Sequence, residues 1–403
     1  MLNAAATVPL DTRLPIRATP YTWQEPHTLP LREWLYEQLL IRKFVTGTVA
    51  PGGVGKSSLI ATEALAMVSG KPLLGKAVTG DLRVWLWNLE DPLEETTKKI
   101  QATAIRYRLD RNDIGLGDRL FVDSGRSQPL VIAHTRKDGT EIVSPVVDGL
   151  TAEIRRLRID VIVIDPFVSC HWVGENDNSA IDMVVKAWGR VAERGNCAVH
   201  LVHHTRKQGL DVEIKTESAR GGKAFSDACR VVRVLNRMSA DEAARAGVDN
   251  HRLFFRAVND KANLSPPAES ADWYQLESIS LRNGPGYAAG DSIGVAVAWQ
   301  WPDVLAGITQ ADFAKAATLI RAGRWRESKQ ATDWVGKPVA EALGLDLAKT
   351  AGRTKVSAVV KSWIADGSLV VVDGHDKKGT LRRFVEVGDN ESPKIGCGSG
   401  DDL

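Results

Sequence analysis

The segment FVTGTVAPGGVGKSSLIATEALAMVSG, residues 44–70, carries the strongest signal for the fold of this chain. Its pattern predicts a buried strand, a glycine-rich turn and a helix, which is the context of a phosphate-binding loop. Gly52, Gly53 and Gly55 let the backbone turn tightly with its N–H groups pointing inward at a triphosphate. The helix that begins near Lys56 adds the positive end of its dipole to the same site.

The loop departs from the usual G-x-x-x-x-G-K-[ST] pattern at Ala50, where the first glycine is usual. This is the least demanding glycine position and a methyl group is small, so we still predict a nucleotide site. Lys56 is expected to reach the β- and γ-phosphates, and the Ser57 hydroxyl to bind Mg²⁺. A chance glycine-rich turn would not be expected to place Lys-Ser at this register. The predicted nucleotide-binding residues are Ala50, Pro51, Gly52, Gly53, Val54, Gly55, Lys56, Ser57 and Ser58.

Two further apolar strands end in carboxylates. In VIVIDP, Asp165 follows four apolar residues and is predicted to hold Mg²⁺ together with Ser57. In VWLWNLEDP, Glu90 is predicted to accept the proton of the attacking water, with its neighbour Asp91 as the weaker candidate. The alternative for each acid is an ordinary solvated residue at a strand end.

The segment LVHHTRK predicts another strand that ends in two histidines, His203 and His204, on opposite faces. We assign His204 to the catalytic set with Glu90 and Lys56, as a sensor of the γ-phosphate; the alternative is a satisfied core or surface histidine. The chain has no N-K-x-D motif for reading guanine, which favours ATP. The predicted cofactors are therefore ATP and Mg²⁺.

Apolar strands alternate with helical patterns from residue 31 to about 281, which predicts an α/β fold with a mostly parallel central sheet. From Thr309 the pattern changes to three helices and a hairpin, the order of a small C-terminal winged helix-turn-helix. The predicted divisions are an N-terminal arm at 1–30, an ATPase domain at 31–285, a linker at 286–308, a winged-helix-like domain at 309–388 and a disordered tail at 389–403.

The composition is that of an ordinary globular protein. The 403 residues carry a net charge of +2, and basic residues outnumber acidic ones in the C-terminal part. The four cysteines form no C-x-x-C pair, which is typical of a reducing compartment. We find no secretory leader and no apolar run of membrane-spanning length, so we expect a cytoplasmic protein without membrane contact.

With these residues in place, the chain resembles the RecA-like hexameric ATPases of the plasmid RepA replicative-helicase type, also described as AAA_25 domains. The resemblance covers about residues 31–281 and is carried by the ordered set APGGVGKSS, NLEDP, VIVIDPFVSCH, ENDNSAIDMVVKAW, HLVHHTRK and ARGGKAFSDACRVVRVLNRM. It implies a RecA-like P-loop fold and a ring with ATP sites between subunits.

In such a ring, a cation from the neighbouring subunit stabilises the charge that develops on the γ-phosphate. The resemblance implies this role for Lys261 in VNDKAN, where related helicases carry a Lys-x-Arg finger strand. Lysine stands here where arginine is common, which is a departure from the family. Arg256 on the same segment is a rival, and a solvated strand residue is the alternative.

The resemblance also implies that the segment after LVHHTRK faces a central channel and contacts single-stranded DNA. The segment lacks aromatic residues, so we expect backbone contacts without base stacking; a charged surface loop is the alternative. In the C-terminal module, the predicted recognition helix and wing carry further cations, although such modules also dock proteins. The predicted nucleic-acid contacts are Arg206, Lys207, Lys215, Arg220 and Lys223 in the loop, and Lys355, Lys361 and Lys377 in the module.

These features favour an ATP-hydrolysing, helicase-like motor on nucleic acid, serving DNA replication or mobile-element maintenance. The expected partners are single-stranded DNA, further copies of the chain in a hexameric ring, and a loader or replication protein. One alternative is a RecA-like ATPase switch that does not translocate, such as a loader, a recombination mediator or a phage-defence component. Another is a DNA-binding regulator that responds to ATP.

Overall fold

The computed structural model describes residues 17–115, 118–205, 214–215, 222–264, 271–287, 289–302, 305–376 and 378–389. The chain divides into two compact units, Met1–Glu33 and Trp34–Leu403. Within its described residues, the first unit contains a short 3-10 turn at Pro26–Thr28. The expected tail at 389–403 lies outside the described residues except for its first position.

The second unit alternates strands and helices. Its strands are β1 (Trp34–Tyr36), β2 (Leu40–Ile41), β3 (Val45–Ala50), β4 (Val84–Asn88), β5 (Leu120–Ser124), β6 (Ala133–Arg136), β7 (Gly139–Ile142), β8 (Val161–Asp165), β9 (His171–Trp172), β10 (Ala198–His204), β11 (Val231–Arg237), β12 (Phe254–Ala262), β13 (Asp272–Ser280), β14 (Ser292–Trp299), β15 (Trp325–Arg326), β16 (Leu369–His375) and β17 (Leu381–Val387). Its helices are α1 (Lys56–Ser69), α2 (Leu93–Tyr107), α3 (Ser144–Leu157), α4 (Asn178–Gly195), α5 (Gly222–Ala228), α6 (Ala240–Ala246), α7 (Gln310–Arg321), α8 (Gly336–Leu343) and α9 (Thr350–Ala365). None of these helices of the described chain is both long and apolar enough to cross a membrane.

A nine-stranded sheet organises this unit, in the order β14-β13-β12-β11-β3-β10-β8-β4-β5. The six strands from β11 to β5 are parallel, and the three strands at the other edge are antiparallel. The prediction of an α/β fold with a mostly parallel sheet is therefore confirmed. Because parallel strands end at one edge, the loops after β3, β4, β8 and β10 meet there.

Both faces of the sheet are buried, which explains the continuous apolar runs in the sequence. In β8, Val161 and Val163 pack into the core under α1 and α2. Ile162 and Ile164 pack into the opposite core, with side chains from α3 and α4. Side chains of successive residues point to opposite faces, so one five-residue run supplies both cores.

The stretch 286–308, predicted as a linker, contains a strand of the main sheet. Ser292–Trp299 forms β14, which pairs antiparallel with β13 along eight residues at the edge of the sheet. The run SIGVAVAW consists mostly of small residues, and Val295, Ala296 and Val297 are buried against the sheet's helices and strands. Its burial depends on β13 and α1, so its local pattern did not identify it as a strand of the main sheet.

The C-terminal part contains α7, α8 and α9 around their own apolar core, with a three-stranded antiparallel sheet in the order β15-β17-β16. Phe313 of α7 packs edge-on against the fully buried Trp363 of α9, with ring centroids 4.9 Å apart. The helices and the hairpin appear in the predicted order. Helix α9 also contacts α6, which lies between β11 and β12 in the chain.

Candidate active site

The predicted phosphate loop connects β3 to α1. Gly53 and Gly55 have φ values of +68° and +108°, in the left-handed region that favours glycine. A Cβ atom at Gly55 would also approach Phe255 and Leu276 to within 3.0 and 3.1 Å. Ala50 is the last residue of β3 and is fully buried. Its methyl group therefore packs in the core beneath the loop, which explains why the sequence tolerates alanine at this position.

Lys56, Ser57 and Asp165 meet at the start of α1. The Lys56 ammonium forms an ion pair with Asp165 Oδ1, and Ser57 Oγ donates a hydrogen bond of 3.0 Å to Asp165 Oδ2. Lys56 is only 8% exposed and Asp165 6%. The Lys56 ammonium is thus neutralised by Asp165 at the position from which it would reach a bound phosphate.

The oxygens of Ser57 and Asp165 fit Mg²⁺ by their chemistry. Mg²⁺ prefers oxygen ligands and usually keeps several waters, with only one or two ligands from the protein and the rest from phosphates. The described residues contain no cluster of three or more His, Cys, Asp or Glu side chains placed to hold a metal by themselves. A metal here would accordingly be shared between these two oxygens and a nucleotide.

Glu90 lies just after β4, which ends at Asn88 and is the strand next to β8. The Asn88 side chain accepts hydrogen bonds from the backbone N–H groups of Glu90 and Asp91, at 2.9 and 2.7 Å. Arg126 Nε donates to the Glu90 carbonyl oxygen at 2.8 Å. These contacts fix the backbone, while the Glu90 carboxylate remains exposed at the carboxyl edge of the sheet.

The neighbouring acid Asp91 is already engaged. Its carboxylate accepts a hydrogen bond from Lys99 Nζ at 2.9 Å, and this contact lowers the pKa of Asp91 below its usual value. A carboxylate that is paired and more acidic is a poorer proton acceptor. The geometry therefore favours Glu90 over Asp91 as the base.

The two histidines at the end of β10 have different environments. His203 is buried, with its ring 5.3 Å from Phe167 and 5.0 Å from Phe225. His204 is partly exposed, and its Nε2 lies 4.0 Å from Glu90 Oε2. The two side chains point to opposite faces, and His204 is the one that reaches the candidate site.

Lys261 lies away from the phosphate loop of its own chain. Its Nζ donates to the carbonyl oxygens of Ser226 and Asp227 at 2.6 and 3.1 Å, near the end of α5, and burial lowers its pKa. Its rival Arg256 pairs with Glu242. Neither cation joins the site of its own subunit, so a role for either would require a second copy of the chain.

Among the predicted nucleic-acid residues, Arg206, Lys207, Arg220 and Lys377 lie outside the described residues. Lys215, Lys223 and Lys361 are exposed. Lys355 Nζ donates to the carbonyl oxygen of Ala306 at 3.0 Å, so its ammonium contacts its own chain. The structure brings none of the described members of this set into the site formed by Lys56 and Asp165.

Sequence reasoning missed several residues on β11. Arg233 pairs with Glu63 of α1 between the helix and the sheet, and Arg237 Nη2 donates to the carbonyl oxygen of Gly53 at 2.7 Å. The sequence carried one signal for such residues, namely a charged residue inside an apolar strand or helix. Such a residue is seldom buried without a partner. Which partner it finds depends on strand order, which the sequence alone did not supply.

Comparison with known proteins agrees with this geometry. Residues 11–209 match the family model described as an AAA domain, AAA_25. No curated protein is similar enough to the chain to be matched. The matched region includes the loop, Glu90, Asp165 and His204. The family match, the mostly parallel sheet and the geometry of the loop together support a P-loop ATPase domain in this chain.

Proposed function

We propose that this chain is an ATP-hydrolysing, RecA-like motor that acts on nucleic acid in a helicase-like manner. The observation that carries the proposal is the position of β10 between β3 and β8. Its last residue, His204, faces Glu90, and the chain then enters the segment with the predicted nucleic-acid cations. In this proposal, β10 connects the site of γ-phosphate cleavage with the segment that contacts nucleic acid.

Each residue at the site has a defined task in this proposal. Mg²⁺, when bound, neutralises the charge on the β- and γ-phosphates. With nucleotide bound, Lys56 would leave Asp165 for the phosphates, and the Asp165 and Ser57 oxygens would hold the metal. Glu90 accepts the proton of the attacking water, and its exposed carboxylate is accessible to that water. His204 senses the loss of the γ-phosphate through a change in its contact with Glu90.

A second copy of the chain completes the site in this proposal. No cation from β12 reaches the loop of its own subunit among the described residues, and both Lys261 and Arg256 face other parts of their own chain. A homo-hexameric ring in the cytoplasm, with the ATP sites between subunits, would bring a cation from the neighbour. We retain Lys261 as the proposed finger and Arg256 as its rival.

We further propose that the C-terminal module is a winged helix that binds DNA. The order of α7, α8 and α9 before the β16–β17 hairpin supports this assignment. Lys361 of α9 and the two arginines at the start of β17, Arg382 and Arg383, are exposed. The Lys355 contact with Ala306 would have to open before Lys355 could bind a phosphate.

ATP hydrolysis by the purified protein, measured with and without single-stranded DNA, tests the proposed motor. The mass in solution with a non-hydrolysable ATP analogue is measured alongside. Stimulation by DNA together with a hexameric mass supports the motor and calls for a strand-displacement assay. A hydrolysis rate that does not change with DNA, measured for a monomer or dimer, would refute the proposed motor. It would favour the non-translocating switch or the ATP-responsive regulator.

A further inference from the structure

The carboxyl end of β11 lies beside the phosphate loop. β11 pairs in parallel with β3 up to the partners Val234 and Val49, so its last three residues run alongside the loop that follows β3. Side chains alternate along the strand, with Arg233 and Leu235 on the face of α1. Asn236 and Arg237 therefore point to opposite faces of the same strand end.

Arg237 holds the backbone of the phosphate loop. Its Nη2 donates to the carbonyl oxygen of Gly53 at 2.7 Å and lies 3.4 Å from that of Gly52. In a trans peptide, the carbonyl and the N–H point in opposite directions. A guanidinium that holds these two carbonyls therefore directs the N–H groups of Gly53 and Val54 away from itself, which is the orientation that phosphate binding requires.

Asn236 holds Ile214, the residue directly before the predicted nucleic-acid contact Lys215. Its Oδ1 accepts from the Ile214 backbone N–H at 2.6 Å, and its Nδ2 donates to the Ile214 carbonyl oxygen at 2.9 Å. Asn236 and Ile214 are each only 6% exposed. Two hydrogen bonds to the backbone of one residue fix its position in the core, directly before the exposed Lys215.

We propose that Asn236 and Arg237 are positioning residues that couple the nucleotide loop to the segment around Lys215. When phosphate engages the loop, the carbonyls of Gly52 and Gly53 shift relative to Arg237, and the strand end carries this shift to Asn236 and Ile214. The coupling acts in both directions, because linkage between two binding sites is reciprocal. That the ligand at Lys215 is a nucleic acid rests on the proposed function; the coupling itself does not.

Hydrogen exchange of residues 205–221, with and without a non-hydrolysable ATP analogue and in the absence of nucleic acid, tests the coupling. We expect the analogue to change exchange in this segment in the native protein. Asn236→Ala should bind the analogue within about twofold of native affinity yet lose the change, since it keeps the loop contact of Arg237. Arg237→Gln should weaken analogue binding about tenfold, because it removes a charged hydrogen bond to the loop.

Conservative variants separate coupling from folding. Asn236→Asp keeps the acceptor for the Ile214 N–H and loses the donor, so its response should be intermediate. Arg237→Lys keeps the charge and loses the planar guanidinium. The exposed Arg252 provides a matched control, since Arg252→Gln should leave both readouts native. A native exchange response in Asn236→Ala, or no response in the native protein, would overturn the proposal.

The affinity for single-stranded DNA, with and without the analogue, forms the second arm. Coupled sites typically change each other's affinity by about 5- to 150-fold. The ratio of the DNA affinities with and without the analogue should therefore fall to about one in Asn236→Ala. A native protein that binds no DNA in either state would refute the proposed function, whereas the exchange experiment would still decide the coupling. If the analogue still changed the DNA affinity of Asn236→Ala as it does that of the native protein, the coupling alone would be refuted.

Discussion

The buried ion pair between Glu63 of α1 and Arg233 of β11 gives the sharpest prediction for stability. The Arg233 guanidinium donates to both carboxylate oxygens of Glu63, with Nη2 to Oε2 at 2.7 Å, and each side chain is 5% exposed. Arg233 Nε also donates to Thr48 Oγ1 at 3.0 Å, and Thr48 in turn contacts His200 Nε2 at 2.8 Å. The pair therefore joins the helix after the phosphate loop to the centre of the sheet.

Glu63→Gln should lower the free energy of unfolding by about 3 kcal/mol. Breaking a buried pair from one side typically costs about 3–5 kcal/mol, because the remaining charge stays buried without a counter-charge. The lower end applies here, since the glutamine oxygen can still accept one of the two hydrogen bonds. In Glu63→Leu with Arg233→Met, neither charge remains, so the double variant should lie within about 1 kcal/mol of the native protein.

Urea denaturation followed by circular dichroism measures these differences. The exposed pair of Lys43 and Glu193, 4.0 Å apart, provides the matched control, and Glu193→Gln should cost less than about 0.5 kcal/mol. If Glu63→Gln cost less than about 1 kcal/mol, the argument from burial would be refuted. It would equally be refuted if the double variant were as unstable as the single one.

Further predictions address the site and its surroundings. Lys56→Ala should abolish ATP binding in a titration, whereas Glu90→Gln should keep binding and lower turnover about 10²- to 10⁴-fold; normal turnover in Glu90→Gln would exclude it as the base. Burial lowers the pKa of His171 from 6.5 to about 4, so the unfolded chain binds more protons between these values. His171 should contribute about 3 kcal/mol to the loss of stability as the pH drops through this window, beside the contribution of His200, whose pKa burial also lowers; His171→Phe should reduce the loss by about that amount in urea titrations at pH 7 and pH 4. Lys215→Glu should reduce DNA stimulation while basal hydrolysis stays unchanged, and undiminished stimulation would place nucleic acid elsewhere.

Local sequence pattern was sufficient to predict the phosphate loop and the two carboxylates of the candidate site. The loop, Asp165 and Glu90 each follow an apolar run long enough for one buried strand, and parallel strands bring their ends to one edge. The residue types then predicted the chemistry, because a lysine, a hydroxyl and two carboxylates around a glycine-rich turn match the needs of a bound nucleotide. The lysine–aspartate contact at the start of α1 agrees with that reasoning.

Only the tertiary structure decided which strands became neighbours. The edge strand β14 falls within the predicted linker, because its small residues acquire their burial from β13 and α1. The contacts of Asn236 and Arg237 depend on the parallel pairing of β11 with β3, and Arg237 and Gly53 are 184 positions apart in the chain. Local propensity extends over a few residues, whereas strand order results from the packing of both sheet faces at once. The sequence therefore predicted the chemical groups of the site, and their contact partners followed from the tertiary packing.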